Sequence, residues 1–581
     1  MTQSSSAELE GNFRWRLGLI AAAIVVVVTS IPQVGLIMKR GGDWNGSYAL
    51  IDFDEIVYSA YLKALIEGSP RRNNPYLGRE SDQRAIGESY FSIQFLPAYA
   101  IALPARVLGL STSTTLILLA RLAAFAAALA VFWLLFQITN EEKLSAAGTL
   151  LVLLCGRFTS ESPLMAAQYY SSFAFLRQYL PAVPFPLFFL FCGFVWRAFV
   201  AQSKTWALAA VAVMALLIYS YFYLWTAAAA WLFCFTLLWL LARAEHRRSV
   251  LKNLLIVASV SIVALLPYLY LLSRRAHTID EDQALTFSRA PDLFRVNEII
   301  GFLVLLILLI YIRRGRIDFK SPKVLFVVAC AVTPFVVFNQ QIVTGLSLQT
   351  FHYEQFVINY LLLVSIVVTY HLIWSHLKIR PIVWAGLAVG IGLATALKEV
   401  HDNSALNVRR DQAKPIAQQL EQSDVYGWVL FDNSLLAASA LTDSRVPQLW
   451  APNMHIYGGI DAAERVERYY QYLYLLGVEP QTFAHDLQSN QQTRVAVFGL
   501  KRVNELLSQR SSPISEAEIR AQVESYTEYV NNFTQQQANR WPVVYVITIG
   551  DHDFTNLDRW YIRKPVAQLG ECIIYDVQLK R

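Results

Sequence analysis

Apolar runs of about 20 residues, the length that crosses a bilayer as a helix, recur along the chain with short polar connections between them. They predict membrane helices over residues 17–38, 114–139, 144–155, 182–200, 206–221, 224–242, 254–272, 299–312, 324–338, 356–374 and 382–397. That makes about eleven crossings. Between the first two runs, the polar stretch 39–90 carries a helical period. Ile51, Tyr58, Leu62 and Leu65 share one face, and Gly68-Ser69-Pro70 ends the pattern. The expectation is an amphipathic helix over residues 52–68, lying on the membrane surface. Residues 91–110 are apolar but interrupted by Pro97, Pro104 and Arg106. They are expected to lie at the interface and return the chain to the same side. Past residue 398 the pattern changes. Residues 428–431, 494–498, 543–547 and 572–577 read as short buried strands, and 461–475 and 515–533 have helical spacing.

The predicted fold class is a polytopic α-helical membrane protein with a C-terminal soluble α+β domain. Residues 1–398 form the membrane domain, with outer loops 39–113 and 339–355, and 399–581 the second domain. Of 581 residues, 55% are hydrophobic and only 16% charged, where soluble domains carry about a quarter charged. Lysines and arginines gather in the connections 140–143, 201–204, 243–253, 313–323 and 375–380. The positive-inside rule puts these in the cytoplasm with the N-terminus. Loops 39–113, 156–181, 273–298 and 339–355 and the domain 399–581 are then outside. Counting 91–110 as a span would invert every later loop and spoil this bias. The net charge of +6 includes no basic run long enough to suggest a nucleic-acid partner. The five cysteines show no CxxC and no metal-ligand spacing. The first apolar run exceeds the core of a signal peptide and no A-x-A-like site follows it, so it is expected to remain as the first membrane helix.

Charge is scarce enough for its location to matter. Asp52, Asp54 and Glu55 stand just after the first apolar run, with Tyr58 one turn further on. Such a cluster beside a membrane is costly unless it is wet, paired or used. Acids in a first turn favour the helix dipole by about 0.3–1 kcal/mol each. That accounts for Asp52 more readily than for all three. On a helix Asp54 and Glu55 diverge, whereas Asp52 and Glu55, three apart, can share a face. Different tasks are expected: Asp54 as candidate general base, Glu55 as its catalytic neighbour, and Asp52 as a cap or substrate contact. The polar run 339–354 includes Gln341, His352, Tyr353 and Glu354. Amides and hydroxyls both donate and accept, which suits sugar hydroxyls. His352 suits a base, a phosphate partner or a metal ligand. Arg71, Arg72 and Arg177 are candidate phosphate contacts, because a guanidinium binds phosphate bidentately. Arg177 is favoured, standing beside Gln178 and Tyr179 at the mouth of a span. Arg121, inside an apolar run, is expected in a structural pair. Tyr219, Tyr221, Tyr223 and Trp225 read as an interfacial aromatic belt.

Asp54-Glu55 with Tyr58 in a loop after an N-terminal membrane helix is followed by Asn74-Pro75-Tyr76-Leu77, a proline-broken segment ending at Gly109, and Arg121 in the next span. This order resembles the GT-C superfamily of membrane glycosyltransferases, of the protein mannosyltransferase and aminoarabinose transferase type. The resemblance covers roughly residues 1–400. It implies transfer of a sugar from a polyprenyl-phosphate-linked donor to a glycan, lipid or protein acceptor on the outer side of a bacterial plasma membrane. It also implies that the first-loop acid, here Asp54, is the catalytic base or a metal ligand. A divalent cation, Mg or Mn, would then fall to Asp54, Glu55 and His352, and no other cofactor is implied. Gln94-Phe95-Leu96-Pro97 stands where the aminoarabinose and mannosyl branch often has His-Pro-Pro, and the WWDYG motif of oligosaccharyltransferases is missing. Competing readings are a lipid or polysaccharide transporter or flippase and an O-antigen-type polymerase or ligase. A transporter needs polar groups near mid-membrane or repeated broken helices. After residue 114 the spans offer Arg121 as the main such group and no repeat, which favours the transferase.

Overall fold

The structure, a computed structural model, describes residues 14–156, 173–243, 247–282, 286–347, 349–374, 380–423, 427–507, 514–550 and 554–581. Each expected span coincides with a helix. In chain order, and with two helices of the first loop included, these are α1 (Arg16–Arg40), α2 (Glu55–Ile66), α3 (Leu96–Val107), α4 (Thr112–Thr139), α5 (Glu142–Leu154), α6 (Pro184–Val200), α7 (Lys204–Ile218), α8 (Phe222–Ala242), α9 (Arg247–Ser273), α10 (Val296–Arg313), α11 (Pro322–Phe338), α12 (Asn359–Trp374) and α13 (Pro381–Glu421). Among the described residues nine helices are long and apolar enough to cross a membrane. Helices α5 and α7 have 13 and 15 residues, about 20 Å at 1.5 Å per residue, and pack between longer neighbours. The chain is a polytopic helical membrane protein. Residues 157–172 of the second expected outer loop lie outside the described residues.

Helix α3, with 12 residues, is too short to span alone. Helix α2 corrects an expectation. It does not lie on a surface: Glu55, Ile56, Val57, Ser59, Ala60, Tyr61, Leu62, Ala64 and Leu65 are all buried, which covers every face. The reason is the C-terminal part of the chain, which packs over it. Tyr457 Oη donates to the Val57 carbonyl at 2.8 Å, and the Ser59 and Thr442 hydroxyls are 2.8 Å apart. A period in the sequence reports one apolar face but not what will cover the other.

The seam expected at residue 398 falls inside α13, a helix of 41 residues. Its second half carries buried Asn407, Arg410, Asp411 and Lys414, which hold the segment after α1. Asp411 accepts from Arg40 Nε at 2.9 Å and from the Asn45 N–H at 3.1 Å, Asn407 Oδ1 accepts from the Leu50 N–H at 2.8 Å, and Lys414 donates to the Gly46 carbonyl at 2.9 Å. Further on come α14 (Ser434–Ala440), α15 (Ala462–Leu475), α16 (Pro480–Ser489), α17 (Gln491–Phe498), α18 (Glu516–Asn531) and one sheet. Its strands are β1 (Trp428–Phe431), β2 (Val543–Ile549), β3 (Tyr561–Leu569) and β4 (Cys572–Leu579), in the order β1-β2-β4-β3, with β1 and β2 parallel and the other pairs antiparallel. Three of the four expected strands are present. Residues 494–498 instead end α17, which Asn490 caps by accepting from the Gln492 and Thr493 N–H groups and which stops at Gly499. Strand β3 was not anticipated, since Pro565 interrupts its pattern; at the sheet edge a proline costs no ladder bond. Gly78 marks a close approach between loop 39–113 and the tail. Its φ is +58°, and a Cβ there would meet the Arg445 carbonyl oxygen at 2.5 Å.

Candidate active site

The turn before α2 is built from its own acids. Asp52 Oδ1 accepts the Asp54 N–H at 3.0 Å, and the Glu55 N–H donates to the Asp52 carbonyl at 3.2 Å, which starts the helix. Asp54 holds the N-cap position, yet its side chain caps no backbone group. Its carboxylate is therefore left for other work, and that side chain is 62% exposed.

Arg177 faces it from the segment before α6. Its side chain is only 2% exposed, and Nη1 lies 3.2 Å from Asp54 Oδ2 and 3.9 Å from Asp52 Oδ2. Nη2 donates to the Tyr58 and Tyr221 hydroxyls at 3.1 and 3.2 Å, and Nε donates to the Leu180 carbonyl at 3.2 Å. The guanidinium also lies over the Phe356 ring at 4.5 Å. Burial opposes its charge, but the two phenols and two carboxylates outweigh burial, so its pKa is raised. Most of its N–H groups are already engaged. It is a fixed cation beside Asp54, with few N–H groups left to offer a phosphate.

The two loops that meet here share one brace. Glu55, 2% exposed, accepts the Ile51 N–H on Oε2 at 3.1 Å and the Gln178 N–H on Oε1 at 3.2 Å. Ile51 precedes the Asp52–Asp54 turn, and Gln178 follows Arg177. Gln178 Nε2 returns a bond to the Glu55 carbonyl at 2.6 Å and another to Tyr48 Oη at 2.8 Å. One buried carboxylate thus ties the loop that carries Asp54 to the one that carries Arg177. Burial, then Asp52, raise the Glu55 pKa well above its usual range. The atoms packed around Asp54, and then Asp52, raise its pKa against the pull of Arg177, and the 62% exposed side chain keeps it below about 6. Water on its open side screens these effects. Burial holds Tyr58 up at about 12, so it stays a phenol.

The other candidates fall into three places. His352 belongs to the same neighbourhood: its ring is 4.6 Å from Tyr223 and stacks at 5.5 Å on Phe356, the ring beneath Arg177. Tyr353 packs beside it, at 4.9 Å from Tyr223, with its hydroxyl 2.9 Å from Thr226 Oγ1. Glu354 is fully buried with Arg295 at 3.6 Å, and Gln341 donates to the Ala290 carbonyl at 3.1 Å; these tie loop 339–355 to loop 273–298. Arg71 is held by Glu88 through two bonds of 2.5 and 2.6 Å, and Arg72 is exposed. The expected pair for Arg121 is replaced by a bond to its own helix, Nη1 to the Ile117 carbonyl at 2.7 Å, beside a cavity of about 50 Å³ that Glu55, Gln33 and Gln178 also line. Tyr221 is corrected from belt to site. It is 4% exposed and bonded to Arg177. Phe356 was invisible in the sequence, being one apolar residue in an apolar run; the π-helical turn Glu354–Ile358 presents it.

Among the described residues no group of three or more His, Cys, Asp and Glu side chains is placed to hold a metal ion. The Glu55 oxygens already face two backbone N–H groups, and Asp52 and Asp54 face a guanidinium. This donor set does not fit a divalent cation held by Asp54, Glu55 and His352.

No family model matches the chain, and no curated protein matches it. Among solved structures, the crystal structure of ArnT from Cupriavidus metallidurans bound to undecaprenyl phosphate is similar at 12% sequence identity, over 90% of this chain and 97% of that one, with a TM-score of 0.35.

Proposed function

We propose that this protein is a membrane glycosyltransferase of the GT-C type, which moves a sugar from a polyprenyl-phosphate-linked donor to an acceptor outside the cytoplasm. The observation that carries the reading is Asp54: an uncapped, solvent-open carboxylate held by a buried guanidinium, at the loop end of a membrane bundle. A general base works best when its pKa lies near the working pH. Asp54 Oδ2 is occupied by Arg177, and the carboxylate's open side supports approach of an acceptor hydroxyl. Asp54 takes that proton as the hydroxyl oxygen attacks the anomeric carbon. The bond to the phosphate oxygen breaks with inversion, and polyprenyl phosphate leaves. Arg177, Tyr58 and Tyr221 keep the carboxylate aimed. The basic connections support a cytoplasmic N-terminus, with this end of the bundle outside.

The test is transfer in membranes supplied with a panel of labelled polyprenyl-phosphate sugars. Asp54→Asn keeps the shape and removes the base, so transfer is expected to fall about 10²–10⁴-fold with the detergent-solubilised protein melting as before. Unimpaired transfer by this variant would sink the mechanism. Failure of the wild-type protein with every donor, alongside movement of a labelled lipid across the bilayer, would favour the transporter instead.

A further inference from the structure

Where loops 273–298 and 339–355 meet, at the end of the bundle that carries Asp54, the chain forms a knob with apolar residues on its outside. Leu293, Phe294, Ile342 and Val343 are 49%, 85%, 43% and 81% exposed. Phe294 also takes a φ of +74°, a region that a bulky L residue seldom enters. Backbone strain thus holds out a ring that the described residues leave uncovered. The polar groups of the knob are paired within it. Asn339 serves both backbone groups of Asp292, accepting from its N–H at 2.8 Å and donating to its carbonyl at 3.0 Å. Arg289 Nη1 donates to the Ile342 and Val343 carbonyls at 2.9 and 3.0 Å, and Gln341 Nε2 to the Ala290 carbonyl at 3.1 Å. Glu298, buried, accepts from Asn339 and from the Arg295 N–H. A loop in water can leave its carbonyls to solvent, whereas backbone that meets hydrocarbon has to be satisfied within the protein.

The membrane helices that carry the knob are short. Helix α10 has 18 residues, about 27 Å at 1.5 Å per residue. Its apolar stretch, 299–312, covers about 21 Å, against a hydrocarbon core of about 30 Å. At the end away from the knob, exposed Arg313, Arg314 and Arg316 keep the helix at the headgroups. The missing apolar length therefore falls at the knob end. There Ile299, Phe302 and Leu303 of α10 are exposed, and Phe294 stands just before that helix begins. The apolar span that starts with α11 runs on past Phe338 to Thr344, through Ile342 and Val343.

We propose that this knob is seated in the lipid leaflet on Asp54's side of the membrane, although both of its segments are loops. Phe294 and Val343 enter about 5–10 Å into the boundary between headgroups and chains, and Arg289 meets the headgroup phosphates. The seat is tied to the candidate site. Arg295 Nη2 donates to Thr350 Oγ1 at 2.9 Å, and Nη1 lies 3.6 Å from Glu354, the residue that opens the turn presenting Phe356 to Arg177. The proposal is independent of the glycosyltransferase reading.

The test is a depth measurement. Phe294→Cys and Val343→Cys, each in the full-length protein with Cys572→Ser, are labelled with a nitroxide in vesicles of phosphatidylethanolamine and phosphatidylglycerol; the other four cysteines are buried. Power saturation compares collisions with oxygen, which concentrates in hydrocarbon, and with a water-soluble nickel chelate. Labels at Leu306→Cys, exposed on α10, and at Ser525→Cys, exposed on α18, mark lipid and water. Both knob labels are expected to be oxygen-rich like the one at 306, with nickel collisions several-fold below those at 525. Nickel collisions at either knob position equal to those at 525 put the knob in water and overturn the proposal. Shielding from both reagents, the sign of a protein partner or a second copy, overturns it too. Should one variant not fold, the other decides.

Discussion

Arg177→Met is the most informative single change. The thioether fills much of the space but removes the charge 3.2 Å from Asp54 Oδ2. Because Asp54 is largely exposed, the pair is screened nearly as in water, where two unit charges at that distance interact by about 1.3 kcal/mol. One pKa unit corresponds to 1.36 kcal/mol, so losing the guanidinium raises the Asp54 pKa by about one pH unit. The sign is unambiguous. A base acts when deprotonated, so activity is present above its pKa and is lost as pH falls through it. Wild-type kcat/KM is expected to decline as Asp54 is protonated, at a pH above its ordinary range and no higher than about 6, and the acid limb of the variant to lie about one pH unit higher. Stability falls as well. Two tyrosine hydroxyls and the Leu180 carbonyl lose their donor, for roughly 3 kcal/mol in total if each counts at the low end for unmet buried groups. The assay is the pH profile of transfer for wild type, Arg177→Met and Arg177→Lys. The lysine keeps the charge and should hold the limb near its wild-type position even if the rate drops. An acid limb that does not move in Arg177→Met would refute both the electrostatic coupling and Asp54 as the titrating base.

The remaining predictions are smaller. In Glu55→Gln an NH₂ group must face the Ile51 or Gln178 N–H, which costs about 1–3 kcal/mol; a lowered melting temperature and a reduced kcat with little change in donor KM are expected, and full activity at full stability would show that the brace is not needed. Tyr221→Phe takes one partner from Arg177 Nη2, and should cost about 1 kcal/mol and less than tenfold in rate, without shifting the acid limb. Chelation followed by added Mg or Mn is expected to leave transfer unchanged, because the carboxylates of the site already have partners; strict dependence on the added ion would show that a metal enters by another route.

Hydrophobic pattern alone located the nine helices that, among the described residues, are long and apolar enough to cross a membrane, because a helix in lipid has to be apolar over most of its surface and a run of such residues needs no partner to be recognised. It also placed Asp54, Glu55 and Tyr58 at one end of the bundle, since an unneutralised carboxylate is excluded from the hydrocarbon. The helix over Glu55–Ile66 was likewise legible, but not its burial, which comes from Tyr457 and Thr442, about 400 residues further on. The division of labour in the site was a tertiary decision. Asp54 and Glu55 are neighbours of the same chemical type. Only the fold turns one to the open side against Arg177, and the other inward to the Ile51 and Gln178 N–H groups. Arg177 stood out in the sequence as a cation at a membrane mouth. That most of its N–H groups are taken by Asp54, Tyr58, Tyr221 and Leu180 depends on contacts over as many as 123 positions of sequence. Periodicity and composition are sums over neighbours along the chain, whereas a carboxylate's role depends on the partners that packing brings to it.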